Sequence, residues 1–152
     1  MIKEIESRRS IRRYKDIPVK EELIEEILKA GMLAPSSKNR QPWHFIVTTG
    51  SAKEQVLKAM EAGLKREEKQ PFLPESAPYL DGARATLKIM KKAPVIIFIT
   101  DPLASPMDQP LAVDERVSEI CNAQSVGAAI ENMTLAATEL GLGSLWICNT
   151  FF

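Results

Sequence analysis

At 152 residues the chain has the length of one domain, enough to bury roughly 70% of the surface its unfolded form exposes. Twenty Lys and Arg balance twenty Asp and Glu, so no net field draws it to nucleic acid or a membrane, and any basic cluster acts locally. Two cysteines and one histidine exclude a disulfide framework and a zinc cluster, and 45% hydrophobic with 26% charged residues is an ordinary soluble composition. The N-terminus is charged from Lys3, unlike a signal peptide, and the longest apolar run, Val95 to Ile99, is far too short to span a bilayer. A reducing, cytoplasmic location is expected.

Ile2 and Ile5 among Lys3, Glu4 and Glu6 predict a short helix ending near Arg8. Leu23, Ile24, Ile27, Leu28 and Gly31 recur at helical spacing and predict a helix over 20–33, with Glu21 and Glu22 in the turn where its dipole favours acids. Pro35 stops it, and a loop runs to Pro42. Residues 43–49 read as a buried strand. Ser51 and Glu54 have capping-box spacing, opening a helix to about Glu68. Pro71, Pro74 and Pro78 make 69–80 a loop, followed by a helix over 81–92 and a fully covered central strand at 95–99. A second loop at 101–110 leads into a long helix from Val113 to Leu140. There Val126, Ile130, Met133, Ala137 and Leu140 form a stripe, widened by Ala128 and Leu135. Such a helix is buried in the core or against a partner. Gly141 and Gly143 end it, and 144–148 read as another buried strand. The order α-α-β-α-α-β-α-β fits α+β or α/β, with helices over a sheet.

Two segments carry chemistry. Arg8-Arg9-Ser10-Ile11-Arg12-Arg13-Tyr14 brings four guanidiniums, the groups best shaped for phosphate, into seven residues. Alone, it reads more readily as a solvated basic face or a nucleic-acid patch, since short basic runs are common. The loop from Ala34 to Phe45 holds Ser36, Ser37, Asn39 and Gln41 between Pro35 and Pro42, suited to a flat ligand with polar edges. The plain alternative is a turn whose Ser36 and Asn39 satisfy their own backbone. Two hydroxyls and two amides exceed that need, and the segments together point to a phosphorylated cofactor with a polar heterocycle. Trp43 and Cys148 read as packing, the lone His44 as structural or surface, and Lys38 and Arg40 as outward-facing. Gly141-Leu142-Gly143 is no dinucleotide fingerprint, because it follows a helix and precedes a strand.

Three motifs in this order, Arg8 to Tyr14, Ala34 to Trp43 with the strand His44 to Val47, and Leu140 to Ser144 with Leu145 to Cys148, resemble the nitroreductase family of FMN enzymes. The resemblance implies one domain over 1–152 of α+β class, a three-layer α-β-α fold with a mostly antiparallel central sheet flanked by helices. It implies a flavoprotein oxidoreductase in which NADPH or NADH reduces the flavin at N5. A nitroaromatic, quinone or related electrophile then takes the electrons in ping-pong order. The cofactor carries that chemistry, so no catalytic side chain and no metal is expected. A homodimer with FMN at the subunit interface is implied, with the long helix as its core.

By the same resemblance, Arg8, Arg9, Ser10 and Arg12 match positions holding the phosphate, ribityl chain and pyrimidine edge. Arg12 is the candidate cation beside N1 and O2. Pro35, Ser36, Ser37, Asn39 and Gln41 match the loop that approaches the ring held mainly by the other subunit. Ile147, Cys148 and Asn149 stand where the family supplies a hydrogen bond near N5, Cys148 and Asn149 replacing a frequent glycine. Family members usually continue past the position of Phe152 with a strand and an arm across the partner, so either an incomplete sequence or a shortened variant is expected. Flavin holding without turnover, or other chemistry such as dehalogenation or flavin cleavage, are the alternatives on this fold. Selectivity is expected from the loops at 69–80 and 101–110.

Overall fold

The computed structural model describes residues 1–148; Asn149 lies outside the described residues. Among them the chain forms helices α1 (Lys3–Ser7), α2 (Glu21–Met32), α3 (Gly50–Lys69), α4 (Leu80–Lys92) and α5 (Val113–Glu139), and strands β1 (His44–Thr48) and β2 (Ile96–Thr100). The two strands pair. Thr48 Oγ1 donates to Ile96 O at 3.1 Å and Thr100 Oγ1 to His44 O at 3.5 Å, a crossed pattern that makes the pairing antiparallel. Many helices with a small antiparallel sheet are the α+β class that the sequence predicts.

The chain divides into two compact units. The first contains Met1–Ser10, Val19–Ile46 and Ile97–Trp146. Here α2 and α1 pack on α5. Ile27, Met133 and Ala137 are buried together, flanked by Leu28, Phe45, Ile97, Ala136, Leu140 and Leu142. A Cβ on Gly31 would stand 2.9 Å from Met133 Cγ and 3.0 Å from Phe45 Cζ, so α2 meets α5 where only glycine fits without displacement. The end of α5 is a left-handed cap. Gly141 has φ +73°, Leu142 N–H reaches Ala137 O at 2.8 Å and Gly141 N–H reaches Thr138 O at 3.1 Å.

The second unit contains Ile11–Pro18, Val47–Ile96, Ile147 and Cys148. Here α3 packs on α4, with Leu57, Leu64, Leu87 and Met90 buried. Lys53 Nζ donates to Ala93 O at 2.6 Å and caps α4. The buried Glu67 carboxylate accepts the N–H groups of Phe72 (2.8 Å) and Leu73 (3.0 Å), tying the following loop to α3. The buried Ser76 hydroxyl close by and the two N–H groups hold the Glu67 pKa below its ordinary value.

Several expectations are corrected. Residues 144–148 do not form a strand; one parallel bridge joins Ser144 to Ser10. Arg8 still belongs to the end of α1, its N–H donating to Glu4 O at 2.8 Å. β1 is not buried, since Ile46 and Val47 are exposed, and β2 is only partly covered. Each has a single pairing partner among the described residues. The helix α3 starts at Gly50 without a side-chain cap, so Ser51 sits inside its first turn. The helix α5 is not apolar throughout. Asn122, Ser125 and Thr134 are buried on it, and Val113, Val117 and Ile120 face water. Cys148 is exposed rather than packed.

Candidate functional site

The N-terminal cluster begins where α1 ends. Arg8 turns toward α5 and places Nε 3.7 Å from Glu131 Oε1. Arg9 is exposed, and its Nη1 donates at 2.7 Å to both Glu6 O and Arg8 O. Among the described residues those two bonds use one of its three guanidinium nitrogens, and Nε and Nη2 keep donors suited to an anion. Ser10 then pairs with Ser144, which brings the cluster beside the segment that follows the Gly141 cap. That segment lies over α5 as well: a Cβ on Gly127 would meet Trp146 Cη2 at 3.6 Å. Gly127 and Glu131 are one turn apart on one face.

The polar loop is built on α5 too. Ser37 N–H donates to Ser125 Oγ at 3.1 Å, and Arg40 Nη1 reaches Asn122 Oδ1 at 3.4 Å. Arg40 is therefore partly buried and bonded, against the expectation that it points outward. Gln41 N–H donates to Ser36 Oγ at 3.0 Å, the local use of Ser36 that a plain turn would make. Just before the loop, Asn132 Nδ2 holds Ala30 O at 3.1 Å near the end of α2. Three loop residues without a glycine's freedom take positive φ: Lys38 (54°), Asn39 (52°) and Gln41 (49°). Pro35, Asn39 and Gln41 are exposed, Ser36 and Ser37 half-buried. Trp43 stacks on Phe45 with centroids 6.4 Å apart, a packing role as expected, while His44 is exposed.

At about 100° per residue, Asn122 and Ser125 point away from α5 on the side opposite Gly127 and Glu131. Arg8 and the Trp146 segment thus attach to one face of this helix, with Ser10 bridged to the same segment at Ser144, and the loop of Ser36, Ser37, Asn39 and Gln41 attaches to the other. The first unit does not gather its predicted site residues at one place. Arg12, Ile147 and Cys148 belong to the second unit. There Arg12 and Cys148 are exposed and Ile147 is half-buried. Tyr14 donates to Ile11 O at 2.8 Å; burial raises its pKa, opposed by the nearby Arg12 charge. Among the described residues no group of acids, histidines and cysteines could hold a metal, and no helix is long and apolar enough to cross a membrane.

Sequence reasoning missed Asn122, Ser125, Glu131 and Asn132. A usable signal existed, because Asn122 and Ser125 continue the buried register of Ala129, Met133 and Ala137 as polar residues on a core stripe.

Comparison with known proteins adds a lineage to this geometry. A family model described as the nitroreductase family matches residues 5–152. A relative from Archaeoglobus fulgidus, provisionally named NADH dehydrogenase/NAD(P)H nitroreductase, is 36% identical over 96% of this chain and 66% of its own length. One of the same provisional name from Methanothermobacter thermautotrophicus is 34% identical over 96% of this chain and 59% of its own. The chain therefore spans less than two thirds of the length of these relatives. A solved, provisionally named nitroreductase from Desulfovibrio desulfuricans, in complex with FMN, superposes with TM-score 0.67 at 31% identity. It covers 97% of this chain and 67% of its own.

Proposed function

Because this chain belongs to the nitroreductase family, we propose that it binds FMN and works as an NAD(P)H-dependent oxidoreductase of nitroaromatics, quinones or related electrophiles. The observation that carries the reading is the division of the predicted ligands between opposite faces of α5. A chain that presents a guanidinium half-site on one face and a polar loop on the other completes neither alone. Two copies joined along α5 would complete two sites, one FMN for each. An exposed apolar stripe supports that partner: Val113, Val117 and Ile120 lie within an arc of about 80° that also contains Gly127 and Glu131.

The donor chemistry fits the cofactor. Arg8, Arg9, Ser10 and Arg12 suit a phosphate dianion, and charge-assisted bonds replace its hydration. Pro35, Ser36, Ser37, Asn39 and Gln41 suit the edge and face of a polar ring. Ile147 and Cys148 would lie close to N5, with Asn149 as the further family position. When bound, FMN supplies two-electron transfer between a nicotinamide and an electrophile. The chain's residues bind and orient it, and the Arg12 cation would favour negative charge on the pyrimidine edge. The loops at 69–80 and 101–110 would select the electrophile, and a cytoplasmic setting suits the nicotinamide donor.

The test is the visible spectrum of the purified protein with added FMN, before and after anaerobic NADH or NADPH. A bound-flavin band that bleaches with nicotinamide and returns with a nitroaromatic is expected. A band that persists with both donors leaves a flavin holder, and no bound band removes the reading.

A further inference from the structure

We propose that Ser125 and Asn122 of α5 are positioning residues that set the shape of the loop 36–41 for a planar, polar-edged ligand, an inference that rests on the flavin reading above. The loop places Lys38, Asn39 and Gln41 at φ 54°, 52° and 49°; asparagine tolerates this left-handed region, but in Lys38 and Gln41 it costs free energy that the surroundings must offset. Enforcement comes from α5. Ser125 Oγ donates its proton to Cys121 O at 2.7 Å, which leaves its lone pairs for Ser37 N–H at 3.1 Å. Asn122 Oδ1 accepts from Arg40 at 3.4 Å on the far side of the left-handed pair. Ser36 Oγ closes the loop on Gln41 N–H at 3.0 Å.

Asn122 and Ser125 are 4% and 6% exposed. Buried polar groups cost free energy unless bonded, and alanine or leucine would serve packing at these places. Their polarity is explained by what they hold. The anchors engage the Ser37 backbone and the Arg40 side chain, while the Ser37 and Asn39 side chains make no hydrogen bond among the described residues. Those two side chains are left for a ligand, on a backbone fixed before the ligand arrives.

The test compares wild type with Ser125→Ala, Ser125→Thr and Arg40→Gln. It reads FMN affinity by fluorescence quenching, the bound-flavin absorption spectrum, Ser37 amide exchange without flavin, and the thermal midpoint. Ser125→Ala is expected to weaken FMN binding roughly fivefold, the factor matching one ordinary hydrogen bond. The spectrum should broaden and Ser37 exchange faster, with Ser125→Thr restoring all three. Arg40→Gln, which leaves α5 intact, should act in the same direction and decides the matter if Ser125→Ala does not fold. Wild-type affinity and spectrum in these variants would overturn the positioning role alone. So would a loss that Ser125→Thr fails to restore and that follows only the thermal midpoint. A wild type that binds no FMN overturns the flavin reading and this inference together.

Discussion

Arg8 Nε and Glu131 Oε1 stand 3.7 Å apart, with the two side chains 34% and 45% exposed. So wet a pair contributes little to stability. Its effect falls on anion binding, since it sets a carboxylate beside a guanidinium assigned to a phosphate. Glu131→Gln is expected to tighten FMN binding a fewfold and to shift unfolding free energy by less than about 0.5 kcal/mol. Titration by flavin fluorescence checks it; weaker or equal affinity would mean that Arg8 does not face the phosphate.

Arg8→Ala combined with Arg12→Ala should weaken FMN binding by roughly tenfold or more at low salt, because charge-assisted bonds are worth about 1.5–3 kcal/mol each. Salt screens the same interaction, so the gap from wild type should narrow as ionic strength rises. A gap independent of salt would assign these arginines a packing role.

Sedimentation at micromolar concentration should give a dimer. Val117→Glu with Ile120→Glu, which places charge on the exposed stripe of α5, should yield monomers with reduced flavin content. A monomer that carries a full complement of FMN would remove the two-copy site.

Glu67 links stability to acid. Its folded pKa lies below the ordinary 4.5, so the carboxylate's bonds to Phe72 and Leu73 contribute fully above that value. They are lost as pH falls through the lower, folded-state pKa. Urea midpoints of wild type should drop across this acidic window more than those of Glu67→Gln. Parallel curves would show that the loop does not depend on the charge.

Met133 fills the space under Gly31 and beside Ile27 and Ala137. Met133→Ala should cost about 2–5 kcal/mol of unfolding free energy in denaturant titration. A cost below about 1 kcal/mol would mean that α2 closes onto α5 when the side chain is removed.

The helices were legible because their signals are local. Leu23, Ile27 and Leu28 repeat at helical spacing, and Gly141 marks the end of α5 through a left-handed φ that glycine tolerates best. Pairing was less legible, since an apolar run such as Ile147 with its neighbours looks like a strand whether or not a partner lies alongside. Ser10 offers Ser144 only one bridge. The chemistry-bearing residues stood out by type, but their supports did not. Asn122, Ser125 and Glu131 carry no motif and gain meaning from contacts with residues 82, 88 and 123 positions away. The left-handed conformations of Lys38 and Gln41 are likewise imposed by those contacts, because neither residue type favours them.

The bridge between Ser10 and Ser144 has a consequence for synthesis. At about 5–20 residues per second, Ser144 follows Ser10 off the peptidyl-transferase centre by roughly seven to twenty-seven seconds. Through that interval the arginine-bearing N-terminus has no partner for this contact, whereas α3 and α4 can already pack on each other. Closing so distant a contact is slow relative to helix formation. Ser10 thus takes its final place late although it is translated well before Ser144, and a nascent chain exposes the stretch from Arg8 to Arg13 in the meantime.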